Sequence, residues 1–254
     1  KTRVFVQFAP GQRGAVEAAL KGAKAEFHYA FDDLNVFAVS LPAAALKGIQ
    51  NNPNVVLVEE DVVRAPISIM PSKTGAVKAA DGQAVPYGID MVQARQVWDA
   101  NLDGVVDTGA PTGAGIKICI IDSGFYTGHE DFAGINVAGY AGNLPWNVDG
   151  FGHGSHVAGT ITAQNNALGV VGVTPGTASL YIVRVFGDDG AWAYSSTLID
   201  AAKKCQTVGA KIISMSLGGA KSSTTEKRGF DSLYSAGILS VAAAGNDGVD
   251  GIDP

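Results

Sequence analysis

Apolar and polar positions are patterned in two styles along the chain. Over the first 66 residues the apolar stretches are short and interrupted. Val4–Phe8, Glu26–Tyr29, Val36–Leu41 and Val55–Glu59 read as strands, and Gly14–Lys21 and Pro42–Gln50 as helices. The second helix opens with Pro just inside its start, where the missing N–H costs nothing. The order βαββαβ predicts a small two-layer α+β, ferredoxin-like domain, with its sheet on one side and its helices on the other. After residue 83 the style changes. Ile116–Ile121, Ser179–Val185, Lys211–Met215 and Ile238–Ala243 are nearly continuous apolar runs, as strands buried on both faces require. Helical spacing marks Val92–Trp98, His153–Thr162, Ser195–Thr207 and Thr225–Ala236. Strands alternating with helices predict an α/β body, a parallel sheet with helices on both faces. Residues 67–83 carry Pro, Ser, Gly, Lys and Ala without period and read as a linker. The expected division is 1–66, 67–83 and 84–254.

Composition narrows the function classes. Lys and Arg number 18 against 24 Asp and Glu, so the net charge is −6, and charged residues are only 17% of the 254. No basic stripe exists to neutralise phosphates, which argues against a nucleic-acid partner. No apolar run approaches the ~18 residues that span a bilayer, which argues against membrane insertion. Cys119 and Cys205 are too few for a disulfide framework, and each sits among apolar or helical residues, so both read as buried free thiols. Lys1 starts almost directly on a strand pattern with no signal peptide, and Gly251–Pro254 reads as a loop. Both ends are therefore expected to be processed or trimmed.

In doubly covered parallel sheets the chemistry lies at the carboxyl ends of the strands. Three segments fall there. In Ile120-Ile121-Asp122-Ser123-Gly124 an acid follows a buried strand and must be paired, or else it caps a turn. In His153-Gly154-Ser155-His156-Val157-Ala158-Gly159-Thr160 a His opens a helix as a base, a cap or a metal ligand, since His153 and His156 are spaced i, i+3. In Ala242-Ala243-Ala244-Gly245-Asn246-Asp247 small residues lead to one Asn, which is either a turn or an amide donor to a developing oxyanion. An acid that orients a His, with an amide facing the reaction centre, are parts of nucleophilic acyl transfer.

Together the motifs resemble the subtilisin-like serine proteases, over residues 1 to 254. IIDSG is similar to that family's aspartate motif, HGSHVAGT to its histidine motif, and SMSLGG with AAAGN to its substrate-pocket and oxyanion segments. The resemblance implies that Asp122 orients and stabilises the base, that His153 moves the proton, and that Asn246 donates to the tetrahedral intermediate. It makes His156 structural. It further implies that Ser216, Leu217, Gly218, Gly219, Ala243 and Gly245 wall the specificity pocket. Asp189-Gly190-Ala191-Trp192 would pair with an extended protein or peptide substrate. The family usually has a small residue where Trp192 falls. Residues 1–66 resemble the family's inhibitory propeptide, with Val55–Asp61 as its final strand and its tail expected in the active cleft.

The same resemblance implies a calcium site built from Gln83, Asp131, Asn166 and the carbonyls of Leu168 and Val170, all hard oxygen ligands. A second loop, Asp99-Ala-Asn101-Leu-Asp103-Gly104-Val-Val-Asp107, has EF-hand-like spacing. Ala110 stands where that pattern needs a bidentate Glu, so the loop is either a cation site or a polar turn. The family's Gly-Thr-Ser-Met-Ala segment, which carries the nucleophile, does not occur in these 254 residues. The expectation is a secreted, calcium-stabilised serine endopeptidase in pro-form, whose Ser lies in a C-terminal remainder outside this chain. The alternative is a catalytically inactive subtilase-like binding or inhibitor protein.

Overall fold

The structure, a computed structural model, describes residues 1–67, 77–78 and 82–246. Most of the predicted linker at 67–83, Asp247 and the closing Gly251–Pro254 lie outside the described residues.

The first unit runs β1 (Thr2–Phe8), α1 (Arg13–Gly22), β2 (Glu26–Phe31), β3 (Val36–Leu41), α2 (Ala43–Gln50), β4 (Val55–Glu60). Its four strands pair antiparallel in the order β2-β3-β1-β4. Alternate residues serve opposite faces. Val4, Val6 and Phe8 of β1 join Phe37, Val39 and Leu41 of β3 under Val16, Leu20 and Ile49 of the two helices. The expectation of one helix-covered face is incomplete, because the other face is buried too. There Phe5, Val36 and Ala38 pack with Phe31, Leu34 and Ile199, the last belonging to the second unit. This double burial is why β3 shows no in–out alternation.

After Glu60 the chain leaves this sheet as β5 (Val63–Pro66); β6 (Val77–Lys78) and β7 (Ala84–Val85) then form a short ribbon. The predicted helix at Val92–Trp98 is not continuous. A short α3 (Tyr87–Met91) ends there, Gln93 takes φ +57, and a 3-10 turn covers Arg95–Val97. Only Ala94 and Trp98 of that stretch are buried, so too little apolar surface is gained to extend the helix.

The second unit contains β8 (Lys117–Asp122), β9 (Val137–Gly139), α4 (His153–Thr162), β10 (Ser179–Arg184), β11 (Ala193–Tyr194) and α5 (Ser195–Thr207). β12 (Ile212–Met215), β13 (Leu217–Gly218), α6 (Thr224–Ser235) and β14 (Leu239–Ala242) follow. Five strands form a parallel sheet in the order β14-β12-β8-β10-β9. Ile118 and Ile120 of β8 face the layer holding Ala158 of α4. Cys119 and Ile121 face the layer holding Leu198, Ala202 and Leu233 of α5 and α6. Both faces are covered, as the apolar runs require.

That second layer corrects the reading of the cysteines. Cys119 on β8 and Cys205 on α5 form a disulfide, with a Cα–Cα distance of 5.7 Å and a sequence separation of 86. Helix α5 lies against β8, which brings together two thiols that are remote in sequence.

Candidate active site

Asp122 is the last residue of β8 and is fully buried. Its Oδ1 accepts from the Ser123 N–H at 2.7 Å and faces His153 Nδ1, also at 2.7 Å. His153 is the first residue of α4 and is 3% exposed. Gly154 lets the helix start sit directly on the strand end, since a Cβ there would stand 2.2 Å from the Gly124 carbonyl.

The free N–H groups at the start of α4 are met by two side chains that sequence reasoning missed. Ser123 Oγ accepts from Gly154 N at 2.9 Å. Asp149 accepts from Gly152 N, Ser155 N and Ser123 Oγ, each at 2.8 Å, and from Ser155 Oγ at 2.6 Å. Partial burial opposes the charge of Asp149, but these bonds outweigh it and hold the carboxyl below its ordinary range. The only sequence signal was an acid four residues before the His.

For His153, burial favours the neutral ring. The hydrogen bond to Asp122 and its charge outweigh that, aided by the Ile67 carbonyl and Asp149, so the imidazole titrates above the ordinary histidine range. Its Nε2 stands 2.8 Å from the Ile67 carbonyl oxygen. With Nδ1 toward a carboxylate and Nε2 toward a carbonyl, the ring fits both acceptors only as a double donor. Both nitrogens are thus engaged, and His156 is exposed one turn on, so the pair does not converge as metal ligands.

Ile67 arrives there because β5 runs antiparallel between two short strands, in the order β11-β5-β13. Arg64 and Val63 pair with Ala193 and Tyr194, while Pro66 and Ala65 pair with Leu217 and Gly218. Ile67 N donates to the Ser216 carbonyl at 3.0 Å. Gly219 allows this approach, since a Cβ there would lie 2.5 Å from the Val63 carbonyl. Ser216, Leu217, Gly218 and Gly219 are therefore all at the guest strand. The segment expected to pair with it, Asp189–Trp192, is displaced. Gly190 N bonds the Gly187 carbonyl in a turn, and the ladder begins at Ala193. Trp192 is 53% exposed, its ring edge-on to Tyr194.

The first unit is fastened to the cleft walls by β4 and the residue after it. Glu59 accepts from Thr225 N at 2.9 Å and Thr225 Oγ1 at 2.7 Å, at the start of α6. Asp61 accepts from Ser196 N at 2.9 Å at the start of α5 and pairs with Arg3 at 2.7 Å. Two acids from one unit thus cap two helices of the other. Asn246 lies beyond β14 at an exposed position, after Gly245 at φ +87. Ala243 N bonds the Met215 carbonyl at 3.2 Å. These residues stand at the carboxyl end of the same sheet; no bond from Asn246 to His153 occurs among the described contacts.

For the expected calcium ligands the arrangement is telling. Gln83 Nε2 lies within 2.6 Å of the Leu168 carbonyl, 2.7 Å of Gln164, 3.0 Å of Val170 and 3.3 Å of Asn166 Oδ1. One amide has two hydrogens and cannot serve four oxygens. A half-turn of the amide brings Oε1 inward and makes an all-oxygen cluster of the kind a hard cation takes. Asp131, 3% exposed, borders it through bonds from Val170 N at 3.3 Å, and burial raises its pKa. In the second loop the acids serve the turn itself. Asp99 takes Asp103 N and Gly104 N, both at 3.0 Å, and Arg95 at 3.3 Å. Asp107 takes Ala100 N, and Asn101 donates to Asp103. Among the described residues no group of three or more His, Cys, Asp or Glu side chains is placed to hold a metal.

The profile described as the Subtilase family matches residues 113–253, more than half of the chain. Subtilisin E of Bacillus subtilis (strain 168) is 35% identical over 235 residues, covering 91% of this chain and 54% of that protein. M-protease of Shouchella clausii (strain KSM-K16) is 34% identical over 227 residues, covering 89% and 53%. The chain spans about half the length of the curated relatives it matches. Fervidolysin from Fervidobacterium pennivorans, a keratinolytic enzyme related to subtilisin, superposes over 96% of this chain and 40% of its own. Its TM-score is 0.75 at 23% identity, which establishes the shared fold. The psychrophilic subtilisin-like protease Apa1 of Pseudoalteromonas sp. AS-11 gives 0.56 at 39% identity, over 66% of this chain and 37% of its own.

Proposed function

The chain belongs to the subtilase family, and on that premise we propose that it is the pro-form part of a secreted, calcium-stabilised serine endopeptidase. The observation that carries this reading is the line Asp122–His153–Ile67 carbonyl, with β5 held between the two cleft strands. A buried, carboxylate-oriented His whose Nε2 faces a peptide unit of a cleft-bound strand is placed as the general base of acyl transfer. Asp122 would fix the tautomer with Nδ1–H. His153 would take the proton of a serine hydroxyl supplied from outside these residues and return it to the leaving amine. Asn246 would donate to the oxyanion.

Residues 1–66 would be the inhibitory propeptide. β5 would fill the cleft, with the Ile67 carbonyl at Nε2, and the bond after Ile67 would be the one cut in maturation. The C-terminal remainder of the catalytic domain would cover β14, where Leu239 and Val241 are 52% and 47% exposed. The Gln83, Asp131, Asn166, Leu168 and Val170 cluster would hold the calcium, which when bound supplies charge to offset those oxygens. Secretion accords with the disulfide, which persists in oxidising compartments.

The test is expression of the full gene product containing this chain. Peptide hydrolysis and a new N-terminus at Ser68 are expected. Asp122→Asn should cut kcat ~10⁴-fold, the loss that change causes in a serine protease of unrelated fold. A full-length product that hydrolyses no peptide and is never cut would refute the reading.

A further inference from the structure

β5 carries one charged side chain into the body of the protein. Arg64 has a side chain only 4% exposed, three residues before the Ile67 carbonyl at His153. Its Nε and Nη2 each donate to Glu226 Oε1 at 3.2 Å. Its Nη1 donates to the Lys221 carbonyl at 2.9 Å and to its own neighbour Val63 at 3.2 Å. Glu226, 15% exposed, also accepts from the Ser195 hydroxyl through its other oxygen.

Glu226 closes the pattern Ser223-Thr224-Thr225-Glu226 at the start of α6. In that pattern the acid normally turns back to the cap amide. Here Ser223 Oγ accepts from Glu226 N at 3.1 Å, while Thr224 N and Thr225 N are met by Glu59. The Glu226 carboxylate instead faces Arg64 and the Ser195 hydroxyl. A carboxylate so enclosed needs a counter-charge, and among the described residues Arg64 of the guest strand is its ion-pair partner.

We propose that Glu226, with the Ser195 hydroxyl and the Lys221 carbonyl, forms a subsite selective for arginine at the fourth residue before the scissile bond, which Arg64 fills as a built-in ligand. This rests on reading β5 as an occupant of the substrate path. Lysine would fit worse, because a compact ammonium cannot fork onto the carboxylate and also reach the Lys221 carbonyl. Leucine would leave Glu226 dehydrated and unpaired.

Two measurements test it. In the first, the full gene product is given the peptides Arg-, Lys- and Leu-Ala-Pro-Ile-Ser. Arginine should exceed leucine by roughly 10²-fold or more in kcat/KM, with lysine between, and Glu226→Gln should bring the ratio close to one. Equal rates for Arg and Leu, or a ratio that survives Glu226→Gln, would overturn the subsite while leaving a peptidase. The second needs no catalysis. In the chain itself, Arg64→Leu and Glu226→Gln should each speed amide exchange of residues 63–67 by about tenfold or more. β1–β4 should stay unchanged, and the double variant should be no faster than the faster single one. Were no peptide hydrolysed, the peptidase reading would fall and this exchange result alone would decide the subsite. Unaltered exchange in both variants would overturn it.

Discussion

Asp149 offers the sharpest test of how His153 is placed. Gly152, at the cap of α4, has no side chain, so Asp149 does the capping from three residues upstream. In Asp149→Asn, Oδ1 can still accept from Gly152 N and Ser123 Oγ. The amide nitrogen, however, replaces Oδ2 and confronts the Ser155 N–H with another donor. Losing that cap costs about 1 kcal/mol. Losing the negative charge at a helix N-terminus costs ~0.5 kcal/mol. Weakening the charge-assisted bond from Ser123 costs about 1 kcal/mol more. The sum, roughly 2–3 kcal/mol, should appear as a lower denaturant midpoint at unchanged slope. Because the folded Asp149 binds its proton less readily than the unfolded chain, its contribution is present above the ordinary Asp range. It should fade as pH falls through the lower folded pKa, so the gap between wild type and variant should close in acid. A variant within ~0.5 kcal/mol of wild type at pH 7, or a gap that does not narrow as pH falls, would refute this account.

Replacing Cys119 and Cys205 by alanine should cost about 2–5 kcal/mol, since the bridge closes a long loop of the unfolded chain; unfolding with and without reductant measures it. Chelation should lower Tm, and Gln83→Ala should abolish the difference between calcium and chelator. Identical melting curves for the unaltered chain would remove the proposed cation. The raised pKa of His153 means that its contacts with Asp122 and Ile67 are strongest below pH ~6.5 and weaken as pH rises through the folded value. Amide exchange at residue 67 should therefore quicken between neutral and alkaline pH faster than the intrinsic rate; a constant protection factor would count against the Nε2 contact.

Much of this is legible in the sequence alone. The runs around β8, β10 and β12 have one physical reading, and Asp122 and His153 fall at strand and helix ends where an acid and an imidazole can meet. What was not legible depends on packing between distant segments. Cys119 and Cys205 pair only because α5 lies on β8. β5 is four residues ending in proline, too short for any period, and its partners β11 and β13 have two residues each. The ladder therefore began at Ala193 rather than within Asp189–Trp192. Glu226 showed no more than an acid in the first turn of a helix, and its partner Arg64 lies 162 residues away, brought to it by the pairing of β5. Asp149 gave no more signal than any acid near a glycine.

The two acids at the end of the first unit have a consequence for the life history of the protein. Glu59 and Asp61 reach α6 and α5 across sequence separations of 166 and 135 residues. While the chain is continuous they act at the high effective concentration of a tethered pair, commonly in the millimolar range. A single cut after Ile67 alters none of those hydrogen bonds. It changes only the number of molecules, so the same contacts become subject to dilution. The first unit would then be retained in a crowded compartment and lost in an open one.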